Sequence, residues 1–83
     1  MQITFKLYAN LSENLPAGAH KNAAVIEVDD DISLNGLIDK YNVPRELAHL
    51  VLVNGVFYCD ADRDASLLKE GDTVAIWPPV AGG

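Results

Sequence analysis

The first residues of the chain alternate between apolar and polar side chains, with Ile3, Phe5 and Leu7 as the apolar set. A period of two is typical of a strand that buries one face. Apolar and β-branched runs predict four more strands, over residues 24–28, 50–53, 56–59 and 73–77. Asn54-Gly55 lies between the third and fourth strands and predicts a tight hairpin.

A single helix is predicted between the second and third strands. Ser33 is a suitable N-cap, and residues 29–31 place three aspartates near the positive end of the helix dipole. Gly36 disfavours the helix by about 1 kcal/mol relative to alanine, and Asn42 is the predicted end. The apolar positions at helical spacing are Leu34, Leu37, Ile38 and Tyr41.

The element order is strand, strand, helix, strand, strand, strand. This order differs from the alternating strands and helices of a doubly wound sheet. It predicts an α+β fold in which a mixed five-stranded sheet packs on one main helix. Residues 10–23 are predicted to be mainly loop, and residues 69–72 a tight turn. The pattern leaves open whether the last strand pairs in parallel with the first.

The length and charge of the chain limit its class. Its 83 residues suit one domain with a modest core. A formal net charge of −6 argues against nucleic acid and anionic membrane surfaces, because both are bound through Lys and Arg clusters. Acidic character suits a protein that docks on a basic patch of a partner. With one cysteine, no signal peptide and no membrane-spanning run, we expect a cytoplasmic protein.

The acidic segment after the fourth strand imitates a metal site. Asp60, Asp62 and Asp64 have the spacing of a calcium loop, but Ala65 and Gly71 stand where that loop needs glycine and glutamate. We therefore predict a solvated acidic loop and no bound metal.

The remaining candidates for chemistry are isolated. Cys59 is expected to be a small buried side chain rather than a nucleophile. His20 and His49 lack a second ligand pattern and are expected to be surface or hydrogen-bonded side chains. The glycines match no phosphate-binding motif, so we expect any ATP to be bound by a partner.

The C-terminal segment, residues 77–83, reads Trp-Pro-Pro-Val-Ala-Gly-Gly. Each proline has φ near −65° and no N–H, so the last strand cannot continue past Trp77. The two glycines make a slim arm, with the α-carboxylate of Gly83 expected at its tip. We divide the chain into a domain over residues 1–77 and a flexible, extended tail over residues 78–83.

Three segments carry a resemblance to a known family. They are Leu52-Val53-Asn54-Gly55, Leu68 with Gly71-Asp72 and Val74, and Pro78-Pro79-Val80-Ala81-Gly82-Gly83. On these residues the chain resembles the MoaD/ThiS sulfur-carrier family, which has the ubiquitin-like β-grasp fold, over essentially its whole length. The aromatic-Pro-Pro-Val-x-Gly-Gly ending is most similar to the small subunit of molybdopterin synthase.

The resemblance implies a co-substrate that binds no cofactor, rather than an enzyme. An E1-like adenylyltransferase would transfer AMP from ATP to the carboxylate of Gly83. A sulfur donor, either a sulfurtransferase or a desulfurase, would then form a thiocarboxylate. The tail would deliver this sulfur to the large subunit of molybdopterin synthase or to another sulfur-accepting synthase. The inserted residues would be Pro78, Pro79, Val80, Ala81 and Gly82.

The resemblance also matches Tyr8, Phe57 and Trp77 to hydrophobic positions that contact the activating enzyme. We predict that they form one exposed patch near the base of the tail, since exposed apolar clusters mark interfaces. The alternative, which stays open here, is that Tyr8 and Phe57 only complete the core.

Three other functions also stay open at this point. A carrier for thiamin thiazole or another thio-metabolite would use the same terminal chemistry. A ubiquitin-like modifier would join its terminal glycine to lysines of target proteins. A plain β-grasp binding module would leave the Gly82-Gly83 terminus unexplained.

Overall fold

A computed structural model of the chain describes residues 1–65 and 68–79. The strands are β1 (Gln2–Leu7), β2 (Ala23–Glu27), β3 (Leu50–Val53), β4 (Val56–Phe57) and β5 (Thr73–Trp77). One α-helix, α1, covers Leu34–Lys40. Short 3-10 helices cover Ala9–Asn14, Arg45–Leu47 and Asp60–Asp62.

The five strands form one mixed sheet in the order β2-β1-β5-β3-β4. The central pair, β1 and β5, is parallel, and the other three pairs are antiparallel. A parallel pair needs a long crossover connection, and here the chain between β1 and β5 supplies it. The predicted mixed five-stranded sheet on one main helix is confirmed, and the parallel central pairing is settled.

The hydrophobic core lies between one face of the sheet and α1. Alternation in β1 directs Ile3, Phe5 and Leu7 into it, each at most 1% exposed. The core residues from the other central strands and the helix are Val74, Ile76, Val51, Val53, Leu34, Leu37 and Ile38. We call the opposite side of the sheet the outer face.

The start of α1 is capped as predicted. The Oγ of Ser33 accepts a hydrogen bond from the N–H of Gly36 at 2.9 Å. The helix ends at Lys40, two residues before the predicted end, and Asn42 follows with φ of +60°. Asparagine tolerates this left-handed conformation better than most residues, so it allows the chain to turn sharply.

The predicted hairpin joins β3 and β4. Asn54 and Gly55 have φ of +52° and +84°, as the tightest hairpin turns require. The fourth strand is shorter than predicted, because it covers only Val56–Phe57 and not residues through 59.

A buried arginine explains the early end of β4. The guanidinium of Arg63 donates to the carbonyl oxygens of Tyr58 at 3.1 Å, Ala48 at 2.7 Å and His49 at 3.3 Å. It also forms an ion pair with Asp60 at 2.8 Å. These contacts draw the chain after Phe57 into a 3-10 turn around Arg63, so the strand stops there.

Candidate docking site at the base of the tail

Tyr8 and Trp77 stack on each other where the chain leaves the sheet. The parallel register pairs Leu7 with Ile76, which brings the next residue of each chain segment side by side. The N–H of Tyr8 donates to the carbonyl of Ile76 at 3.1 Å. The two rings lie 4.3 Å apart between centroids, with an interplanar angle of 1°. Aromatic contact of this kind stabilises the pair beyond the area it buries.

Trp77 is also held from its other side by β3. Leu50 is its register partner, and the N–H of His49 donates to the carbonyl of Trp77 at 3.1 Å. Trp77, the last residue before the tail, is therefore held on both sides. Its ring stacks on Tyr8, and its backbone is hydrogen-bonded next to β3. This arrangement gives the tail a defined starting point.

Phe57 lies on the same outer face but away from the stack. Leu52 is the register partner of both Phe57 and Ala75, so these three side chains share the outer face. Phe57 is 54% exposed, and neither it nor Tyr8 belongs to the cluster between sheet and helix. The three aromatic residues thus share the outer face, and their contact with an enzyme stays a prediction.

The outer face has a further apolar residue that sequence reasoning missed. Val25 is 68% exposed, and its register partner in β1 is Thr4. Because β2 is the edge strand of the described sheet, no described strand pairs with it on the side away from β1. The alternation of β2 could have indicated this, since Ile26 is the buried residue of that strand.

The structure describes the tail only as far as Pro79. Pro78 is half-buried and Pro79 is exposed. The predictions for the end of the tail concern residues outside the described part of the chain, namely Val80, Ala81, Gly82 and Gly83. Most of the tail assigned to residues 78–83 is therefore not described. The reacting carboxylate and the insertion of the tail therefore stay predictions.

The isolated candidates are located on the surface. Cys59 is exposed, so the expectation of a buried thiol is wrong. The 3-10 turn that begins at Asp60 takes Cys59 out of the sheet, and its Sγ lies 3.3 Å from Oδ2 of Asp62. His20 and His49 are exposed, in line with the surface prediction.

The acidic segment after β4 is held by protein contacts. Asp60 pairs with Arg63, and Asp64 Oδ1 accepts from the side-chain amide of Asn35 at 2.7 Å. Within residues 1–65 and 68–79, no three His, Cys, Asp or Glu side chains are grouped so that they could hold a metal ion. The same residues include no helix with the length and apolarity needed to cross a membrane.

A five-stranded mixed sheet around one helix, with a parallel central pair, defines the chain as a ubiquitin-like β-grasp protein. The model of the ThiS family matches residues 6–83, and the chain belongs to this family. It is a sulfur carrier of the MoaD/ThiS type.

Curated relatives support the same family. The molybdopterin synthase sulfur carrier subunit of Drosophila melanogaster is 33% identical over 69 residues. The match covers 78% of this chain and 77% of that protein.

Solved structures share the fold over most or all of the chain. The Haloferax volcanii protein HVO 2177 has a TM-score of 0.77 at 27% identity, over all of this chain and 87% of that one. SAMP1 from the same organism, the small archaeal modifier protein 1, has a TM-score of 0.66 at 25% identity over both whole chains. A chain of the complex of subunits 1 and 2 of molybdopterin-converting factor from Helicobacter pylori has a TM-score of 0.56 at 18% identity, over both whole chains.

Proposed function

We propose that the protein is the sulfur-carrying small subunit of a molybdopterin synthase, and that the carboxylate of Gly83 is its reacting group. The observation that carries this proposal is the family match, which extends through residue 83, together with the name of the Drosophila relative. The proposed partner that accepts the sulfur is the large subunit of the synthase. The Helicobacter pylori structure is a complex of subunits 1 and 2 of molybdopterin-converting factor.

The proposed chemistry begins with activation, because a carboxylate is a poor electrophile. An E1-like adenylyltransferase binds ATP and transfers AMP to the Gly83 carboxylate, and pyrophosphate leaves. A sulfur donor, a sulfurtransferase or a desulfurase, supplies the sulfur that displaces AMP and forms the thiocarboxylate. The synthase transfers this sulfur to its substrate, and hydrolysis by water supplies the oxygen that regenerates the carboxylate.

The geometry at the base of the tail supports delivery into a partner. Trp77 is held between Tyr8 and β3, so the arm starts from a rigid point. Pro78 and Pro79 restrict the backbone that follows, which reduces the conformational entropy lost when the arm enters a narrow site. Because the carrier needs only to present its tail, the catalytic groups belong to the partners.

Intact-mass spectrometry tests the proposal directly. The purified chain is incubated with an E1-like adenylyltransferase, ATP and a sulfur donor, and we expect a species heavier by one exchange of oxygen for sulfur. A chain that lacks Gly83 and a chain extended by one alanine should fold normally but remain unmodified. If the extended chain gained sulfur without being trimmed back to Gly83, the proposed site would be wrong.

A second candidate is a protein modifier, which is favoured only by the likeness to the small archaeal modifier protein. In that case the same reactions, carried out in a cell extract, would yield isopeptide-linked adducts instead of a free thiocarboxylate. A carrier for thiamin thiazole or another thio-metabolite would form the thiocarboxylate but would not bind the large subunit of molybdopterin synthase. Affinity capture with that subunit separates these cases.

A further inference from the structure

The outer face continues past Tyr8 into a groove between β1 and the turn before β2. Its lining includes Lys6, His20, Lys21 and Ala23. We call these residues, together with Tyr8, the cationic groove; its volume is about 360 Å³. A neighbouring hollow of about 500 Å³ shares His20 and Ala23 and extends to Val25 at the sheet edge.

The groove differs in charge from the rest of this acidic protein. Within the part of the chain that the structure describes, neither of the two hollows is lined by Asp or Glu, whereas the hollows beside Arg63 include Glu46 and Asp60. Among the described residues, both arginines form ion pairs and none of the four lysines does, and Lys6 and Lys21 are the two lysines that line one groove. Two unneutralised lysines therefore give this part of the outer face a local positive potential.

The turn that carries Lys21 is firmly held. His20 and Ala23 exchange backbone hydrogen bonds of 2.9 and 3.1 Å, and the side-chain amide of Asn22 donates to the carbonyl of Leu7 at 2.9 Å. Lys21 itself has φ of +58°, a left-handed conformation that glycine or asparagine would adopt more readily. The fold thus fixes the backbone position from which the Lys21 side chain extends beside the groove.

We propose that the cationic groove receives an acidic, extended segment of the E1-like activating enzyme. Charge complementarity carries the proposal, because the described lining of the groove has two lysines and neither Asp nor Glu, and such a lining attracts carboxylate side chains. The groove is continuous with the aromatic stack through Tyr8, so an enzyme that engages the base of the tail reaches it. Val25, exposed at the sheet edge, would contact an apolar side chain of the same segment.

This inference rests on the proposed function, and two double variants test it. Lys6→Glu/Lys21→Glu reverses the charge of the two groove lysines. The control, Lys40→Glu/Lys69→Glu, reverses the charge of two exposed lysines elsewhere. Each substitution changes the charge by −2, so both variants carry the same net charge of −10 instead of −6. Pyrophosphate release by an E1-like adenylyltransferase is measured against carrier concentration. We expect the groove variant to raise KM about tenfold at low salt with kcat unchanged, and the control to stay within about twofold.

The salt dependence gives a second readout. KM of the unaltered chain should rise with ionic strength, and the groove variant should show a weaker rise because the attraction is already lost. If the groove variant does not fold, the single substitution Lys21→Glu on the exposed turn replaces it, with an expected intermediate KM.

The outcomes distinguish the inference from the proposed function. If the two double variants changed KM equally, or if neither changed it, the groove proposal would be wrong. The proposed function would still stand, provided that the unaltered chain became adenylated. The groove proposal would also be wrong if the groove variant bound the synthase large subunit more weakly but kept its KM with the activating enzyme. The proposed occupant of the groove is a segment of the activating enzyme. If the unaltered chain released no pyrophosphate, both proposals would fail.

Discussion

The side-chain amide of Asn54 donates to Oδ1 of Asp72 at 2.8 Å, which ties the β3–β4 hairpin to the turn before β5. The Oδ1 of Asn54 also accepts from the N–H of Thr73 at 2.9 Å, and Oδ2 of Asp72 accepts from the N–H of Lys69 at 2.8 Å. Asn54 and Asp72 belong to two of the segments that carry the family resemblance. Their hydrogen bonds hold the start of β5, the central strand, in register with the hairpin.

Asn54→Gly should destabilise the protein by about 1–2 kcal/mol. Glycine suits the φ of +52°, but it removes both side-chain hydrogen bonds, and asparagine already tolerates the left-handed region. Urea unfolding measures the difference. Lys21→Gly is the matched control, because Lys21 has a similar φ of +58° and its replacement removes no side-chain hydrogen bond. The stability of this variant should be unchanged or slightly higher. Equal stability of Asn54→Gly and the original chain would contradict this role.

Arg63→Met should cost about 3 kcal/mol or more of unfolding free energy. The substitution leaves the carbonyls of Ala48, His49 and Tyr58 without their donor in a largely buried place. The control is Arg45→Met, which breaks an exposed ion pair with Asp39 and should change the free energy of unfolding little. Thermal and urea unfolding measure both, and a similar loss for the two variants would argue against this structural role of Arg63.

Stability should depend on pH through Asp39. The guanidinium of Arg45 donates two hydrogen bonds to this carboxylate, at 3.0 and 2.6 Å, and lowers its pKa from 3.8. A lowered folded-state pKa contributes stability above pH 3.8 that is lost as the pH falls through the depressed value. The original chain should therefore melt at a slightly higher temperature than Asp39→Asn above that pH, by a constant difference. Below that pH the difference between the two melting temperatures should disappear. A gap that widened on acidification would be inconsistent with this pair.

Tyr8→Ala should alter the environment of Trp77 without unfolding the protein. Trp77 is the only tryptophan, so its fluorescence reports on the base of the tail. Loss of the stacked ring should shift the emission to longer wavelength and lower stability by about 1 kcal/mol. Phe57→Ala, two strands away, should leave the emission unchanged. Equal shifts for both variants would mean that the emission does not report on the stack.

Local signals predicted most of the elements correctly. The alternation of Ile3, Phe5 and Leu7 indicated the buried face of β1, and the Ser33 cap marked the start of α1. Such features depend on residues within a few positions of each other, so the sequence carries them directly. The prediction was wrong at Cys59 and at the end of β4. The guanidinium of Arg63 donates to carbonyl oxygens 14 and 15 residues earlier in the chain, and local sequence patterns do not reveal such contacts.

The sequence by itself determined the class of fold, the hairpin at Asn54-Gly55 and the Trp77-Pro78-Pro79 exit, because each follows from local conformational preference. Only the tertiary structure decided what distant segments bring together. The parallel pairing of β1 with β5 stacks Tyr8 on Trp77, and the turn before β2 brings Lys21 beside the groove that Lys6 lines. These contacts join residues far apart in the chain, and periodicity along the sequence carries no information about which strands become neighbours.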